Sequence, residues 1–285
     1  MPLINNPLSE LHPLPFFSDL ELETLHRQAA EYPLREILEH PRVLEERSYD
    51  YAYVNCKIAG NSYTLAGVGM LLKYGLTEGE KPVSDALMLV DIHKTFMFIM
   101  RNAQDKDVYA TAFVEDLYAM SRMHQWLEDK KVVFRSQPSA PASHLSLSLP
   151  SAIECHQSLD DYMRILKRIK DPFEQAAYVH WHFASQQFFA DDVNLISRLM
   201  ETAILVHHNL VPVFMSEKDF VNDFNAVRNY GESKDHRAYA ESFVRAYQYT
   251  IDHLLGRTPE QLQSIAEDEK RLQAAWAMRR SASRT

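Results

Sequence analysis

Apolar residues recur three and four positions apart through most of this chain, in runs long enough for helices rather than strands. Chemical start and stop signals bracket the runs. Ser18 with Glu21 forms an S-x-x-E capping box ahead of Leu22 and Leu25. Ser84 and Asp85 open the run DALMLVDIHKTFMFIM, and Asp171, Pro172 and Glu174 supply a cap, an N1 proline and an N3 acid to DPFEQAAYVHWHFA. Thr258, Pro259 and Gln261 repeat that pattern late in the chain, while Gly75 and Gly256 read as helix stops. Two amphipathic helices are expected near 172–186 and 192–209. The first presents Ala176, Ala177, His180 and Phe183 along a narrow face; the second turns Ile196, Leu199, Met200 and Ala203 inward. The pattern predicts an all-α fold.

One segment departs from helical spacing. KKVVFRSQPSAPASHLSLSLPS, residues 130–151, joins a β-branched run to a Pro/Ser-rich turn region and the alternating LSLSL. It predicts a small, irregular β-hairpin between about 131 and 150. The organisation expected is a helical segment at 1–44 packed on the core, a main domain at 45–256, and a C-terminal helix with a basic tail at 257–285.

Composition narrows the function classes. Across 285 residues, 39 acidic side chains outweigh 30 basic ones for a formal charge of -9, and binding along nucleic-acid phosphates needs clustered Lys and Arg. No nucleic acid is expected as partner. No window approaches the 18 uncharged apolar residues of a membrane span, and Cys56 and Cys155 have no disulfide or metal spacing. A cytoplasmic setting is expected. The 7 glycines all fall outside residues 80–230, which removes any Walker loop or dinucleotide fingerprint from that span. His207 and His208 are adjacent on a helix and diverge by about 100°, so they are not read as a metal pair. TFMFIM, residues 95–100, reads as buried core.

The stretch DPFEQAAYVHWHFASQQFFADDVNLISRLM, residues 171–200, resembles the Fic family. That family's motif, H-x-F-x-(D/E)-G-N-(G/K)-R-x-x-R, lies between two core helices. Phe189 matches its phenylalanine, Asp191 its acid and Arg198 its second arginine. Gln187 stands at the histidine, and Asp192, Val193, Asn194 and Leu195 stand at the glycine, asparagine, glycine and first arginine. Upstream, KIAGNSYTLAGVGMLLKYG is similar to the family's IEGN…TL segment; downstream, VPVF and VRNYGE are similar to its later helices. The resemblance spans roughly residues 45 to 255. It implies an all-α Fic-like domain with a hairpin flap near Phe134 and Arg135 that positions target proteins. The implied activity is transfer of AMP from ATP, with Mg²⁺, to a protein hydroxyl.

The departures fall on the chemistry. An imidazole can take a proton from the attacking hydroxyl, whereas the amide of Gln187 does not titrate, so Gln187 is not expected to act as base. Asp192 adds a carboxylate where polyphosphate would lie, and Leu195 removes a bidentate phosphate ligand. His180 is read as a core histidine, one or two turns from the loop. Asn194 and Arg198 remain on the nucleotide side, Asp191 is the metal-ligand candidate, and Phe189, Asp192 and Ala59 are expected to support the pocket. In the family's inhibitory helix S/T-x-x-x-E-(G/N), Asn55 and Ala59 stand at the serine and the glutamate. The expectation is therefore a Fic-like protein with an eroded motif, impaired in AMP transfer, and acting through a target or regulatory protein at the 131–150 hairpin or through a ligand. Mg²⁺ and ATP are what the family implies; Asp192, Val193 and Leu195 oppose ATP, while Asp191 keeps a carboxylate for Mg²⁺. The alternative is an active transferase with another donor, using Asp191 or Asp192 as base or metal ligand.

Overall fold

The computed structural model describes residues 15–123, 134, 154–186, 188–189, 193–215 and 236–254, with scattered positions between 267 and 282. The hairpin expected at 131–150 lies outside these residues except for Phe134, as do Thr258 and Gly256. The described helices are α1 (Asp19–Glu31), α2 (Arg35–Leu38), α3 (Pro41–Ile58), α4 (Leu65–Tyr74), α5 (Val83–Asn102), α6 (Thr111–Met120), α7 (Cys155–Leu166), α8 (Pro172–Gln186), α9 (Val193–His207) and α10 (Arg237–Leu254). The fold is all-α. Among the described residues no helix is long and apolar enough to cross a membrane.

Local chemistry sets most of the boundaries. At α1 the Ser18 N–H donates to the Glu21 carboxylate at 2.7 Å while the Glu21 N–H donates back to Ser18 Oγ at 3.4 Å. Asp171 Oδ1 accepts from the Phe173 and Glu174 amides at 2.9 and 3.1 Å and starts α8. Gly75 ends α4 with φ of 70°, a left-handed conformation that costs any other L residue a steric clash. Asp85 behaves differently from expectation. Pro82 precedes the first residue of α5, and Asp85 sits inside the first turn. Its carboxylate accepts from the Ser62 amide at 2.9 Å and hydroxyl at 2.6 Å, tying the α3–α4 connection to α5.

Helices α8 and α9 form the centre. The short connection folds α9 back along α8, and every residue in Phe173–Ala184 and Leu195–Val206 is buried. The amphipathic reading of the two helices is thus corrected: both are enclosed on all sides. Tyr51 of α3 stacks on Phe96 of α5 with centroids 4.4 Å apart over one flank. On the other flank α10 brings Tyr239 to Trp181 at 5.0 Å and Tyr247 to Phe173 at 5.1 Å. Enclosure requires each polar side chain on these helices to find a partner in the protein.

The segment before α1 is locked to α8 by one carboxylate. The Phe16 and Phe17 amides donate to the two oxygens of Glu174 at 2.8 and 3.0 Å, and both phenyl rings are buried. Burial pushes the Glu174 carboxyl above its ordinary range, against the opposing pull of the two amides. A carboxyl whose pKa is higher folded than unfolded binds more protons in the folded state. Its contribution to stability is complete below the unfolded value of about 4.3 and is lost as pH rises through the raised folded value. The Tm should therefore fall across that window as pH rises. Glu174→Gln should flatten this dependence while costing about 1–3 kcal/mol at neutral pH, because one amide loses its acceptor. An unchanged profile of Tm against pH in the variant would contradict this assignment.

Candidate functional site

The connection between α8 and α9 is pinned by adjacent aromatic residues. Phe188 and Phe189 are both buried. Phe189 lies against Tyr118 of α6, stacked at 5.1 Å and 20°, and against Phe134 at 5.9 Å and 19°. Phe188 meets Tyr162 at 6.2 Å, and the Phe188 and Phe189 rings both lie 5.8 Å from Phe183. The pair staples the loop into one aromatic cluster, with Phe183 as the ring they share. Phe134 and Phe189 also form an antiparallel β-bridge, which holds Phe134 against the loop.

Behind the loop, buried polar groups run from α3 through α9 to α8. Arg198 Nε donates to Asn55 Oδ1 at 2.5 Å, with Arg198 only 6% and Asn55 5% exposed. Asn55 Nδ2 donates to the Tyr51 carbonyl at 2.8 Å, and the Tyr51 and Thr202 hydroxyls meet at 3.0 Å. One turn along α9, Glu201 pairs with His180 Nδ1 of α8 in a site where both side chains are nearly inaccessible. Burial drives the Tyr51 phenol pKa upward; the Thr202 bond and the positive charge of Arg198 oppose that shift. Tyr51 is accordingly a neutral hydroxyl partner. His180 is the hydrogen-bonded core histidine that its position one or two turns from the loop predicts.

Of the residues singled out from sequence, Phe189 anchors the loop and Arg198 lies in the buried network. Ala59 is the exposed C-cap of α3, one turn beyond Asn55. Asn194 stands in the first turn of α9. Gln187, Asp191 and Asp192 lie outside the described residues. Leu195 is a core side chain, 3% exposed. Four contributors went unread. Tyr118 of α6 backs the loop through Phe189, and the Arg122 guanidinium lies 5.1 Å from the Tyr118 ring. Tyr51 and Thr202 complete the network. Only the i, i+4 spacing of Tyr118 and Arg122 was available as a sequence signal.

His207 and His208 serve different partners. His207 Nδ1 faces the Ala103 carbonyl at 2.8 Å, while His208 Nε2 lies 2.8 Å from Gln175 Oε1 and 3.0 Å from the Tyr109 hydroxyl. Burial and the neighbouring His207 hold the His208 pKa below its ordinary value, which favours the neutral ring. Among the described residues no three His, Cys, Asp or Glu side chains group as a metal site.

No family model matches the chain, and no curated protein matches it. Solved structures do. A Fic domain containing signaling protein from Bacteroides thetaiotaomicron VPI-5482 aligns over 84% of this chain and 99% of its own, with 17% identity and a TM-score of 0.65. Fic-1 of C. elegans, residues 134–508, aligns over 82% and 70% with 15% identity and a TM-score of 0.67. A Fic family protein from Desulfovibrio desulfuricans G20 aligns over 87% and 79% with 14% identity and a TM-score of 0.64. At such identities the likeness is one of fold: the chain has a Fic-like all-α fold.

The network has a measurable signature. Asn55→Ala should cost about 1.5–3 kcal/mol, since a hydrogen bond to a charged group is lost and the Arg198 Nε–H loses its acceptor. Arg198→Met, Asn55→Ala and the double variant, unfolded in urea, should show a coupling energy of about 1 kcal/mol or more. Additive effects would separate the two residues.

Proposed function

We propose that this chain is a Fic-like binding or regulatory protein, impaired in AMP transfer, whose α8–α9 loop and adjoining 131–150 segment engage another protein or a ligand other than Mg-ATP. The observation that carries this reading is the fate of the two arginine positions. Leu195 is packed into the core where a phosphate-directed guanidinium would be needed, and Arg198 donates its Nε–H to Asn55 inside the protein. Neither supplies the exposed bidentate fork that recognises a polyphosphate. An anion brought to this helix start would meet the N-terminal amides of α9 without the arginines that make such a site selective. The residues described do not fit a nucleotide triphosphate, and no chemical step is derived through one.

Two further points support the same reading. Gln187 has no proton to exchange near neutrality, and removing a general base costs about 10²–10⁴-fold. Asp192 stands at the family's glycine by the resemblance, and a carboxylate there would repel phosphate oxygens. The resemblance gives the 131–150 segment the role of a flap for target proteins, and the antiparallel bridge from Phe134 to Phe189 couples its start directly to the loop. A partner that binds at Phe134 would thus act on the α8–α9 connection.

Incorporation of labelled ATP tests the proposal. The purified protein should label neither itself nor lysate proteins. Gln187→His alone should not rescue transfer, because the anion contacts remain absent. The fuller reversion Gln187→His, Asp192→Gly, Val193→Asn, Asn194→Gly and Leu195→Arg should raise incorporation above that single variant. Robust labelling by the unaltered chain, abolished by Asp191→Ala, would instead establish a working transferase that uses its acidic pair.

A further inference from the structure

Helix α5 carries a groove of about 330 Å³ lined, among the described residues, by His93, Lys94, Met97, Phe98, Arg101 and Asn102. Positions three, four and seven apart share one face of a helix, so these side chains form a single stripe. Lys94 and Arg101 are exposed toward its two ends, separated by seven residues or about 10.5 Å of helical rise. Between them Met97 and Phe98 make a half-buried apolar floor. Phe98 is backed by Phe113 of α6, stacked at 6.2 Å and 30°.

The charge of the stripe runs against that of the chain. The protein carries a formal charge of -9, yet among the described residues Lys94 and Arg101 enter no ion pair. Lys106 adds a third cation, its Nζ 6.0 Å from the centre of the Phe98 ring. One acid is near, Glu45 of α3, and its carboxylate is engaged by the Tyr49 hydroxyl at 2.6 Å. His93 lies beside Tyr49, ring centres 5.9 Å apart, and its Nδ1 is buried without a hydrogen-bond partner. Burial holds the His93 pKa below its ordinary value; Glu45 opposes that shift, and the charges of Arg101 and Lys94 add to it. An unpaired buried nitrogen costs the fold stability, which sets this wall apart from the satisfied network behind the α8–α9 loop.

We propose that the stripe docks an acidic amphipathic helix of another protein, with carboxylates seven residues apart seated on Lys94 and Arg101 and two apolar side chains between them on Met97 and Phe98. Helix-in-groove recognition reads anchors at i, i+3, i+4 and i+7, which is the spacing of Lys94, Met97, Phe98 and Arg101. A partner helix has the same rise per residue, so the end charges and the central apolar contacts are met together. Methionine suits the floor because its unbranched thioether adapts to the side chain it receives. A nucleic-acid backbone fits less well. Its charge is continuous, whereas here apolar surface separates two cations and Glu45 lies beside the stripe. All of the docking residues belong to α5, so the proposal stands whichever way the chemistry of the α8–α9 loop is resolved.

Fluorescence anisotropy of the full chain with a labelled peptide, AAQEAALLAAEAAQA, tests the proposal. Binding at low salt should saturate with a Kd of about 100 µM or tighter, and about 0.5 M NaCl should weaken it several-fold. Replacing both glutamates of the peptide by glutamine, or both leucines by serine, should each weaken binding by about fivefold or more. Lys94→Glu and Arg101→Glu change exposed positions, so circular dichroism should be unchanged while each variant loses affinity by a similar factor. A peptide with lysine at both glutamate positions should bind the double variant Lys94→Glu, Arg101→Glu in preference to the wild type. Absence of saturation up to about 1 mM peptide, or binding that Arg101→Glu leaves unchanged, overturns the proposal.

Discussion

The contact between Arg198 and Asn55 is the constraint on which the centre of this molecule depends. Helix α9 is buried from Leu195 to Val206, so a guanidinium on it has no route to water and must be satisfied inside the protein. Asn55 provides the acceptor from α3, and the same amide donates to the Tyr51 carbonyl one turn earlier. That geometry fixes the approach of α3 to α9. The Tyr51–Thr202 contact and the His180–Glu201 pair extend the same logic along α9, so three helices are held in register by side chains that could not be left unpaired.

Apolar packing then shapes what the network holds. Phe188 and Phe189 both pack on Phe183, and Phe189 stacks in addition with Tyr118 and Phe134. The backbone at the start of α9 is therefore set by burial of aromatic surface. In the proposed reading this explains how a Fic-like loop can persist after its chemistry has changed. The loop is retained by two phenylalanines whose burial does not depend on histidine, glycine or arginine.

Much of the helical framework was legible in the sequence, because caps act over three or four residues. Ser18 with Glu21, Asp171 at the start of α8 and Gly75 at the end of α4 all do what their spacing predicts. Asp85 was misread for an instructive reason: its spacing suits a cap, but its partner, Ser62, comes from a loop 23 residues away. The same limit hid Tyr51 and Thr202, separated by 151 residues, and the stacking of Tyr118 on Phe189. The amphipathic reading of α8 and α9 failed because a polar residue with an internal partner looks, in one dimension, like a polar residue facing water. Among the site positions, Arg198 and Asn55 were each picked out from a separate segment, but nothing in the sequence joined them as partners across 143 residues.

The central claim is that the start of α9 lacks the arginine contacts a nucleotide polyphosphate requires. Calorimetric titration of the purified chain with ATP, GTP, UTP and CDP-choline, each with and without Mg²⁺, addresses it most directly. The account predicts no saturable heat for any triphosphate at concentrations up to about 1 mM, a range that would reveal ordinary nucleotide affinities. Saturable, Mg²⁺-dependent binding of any one of them, weakened by Arg198→Met in a variant that remains folded, would contradict it.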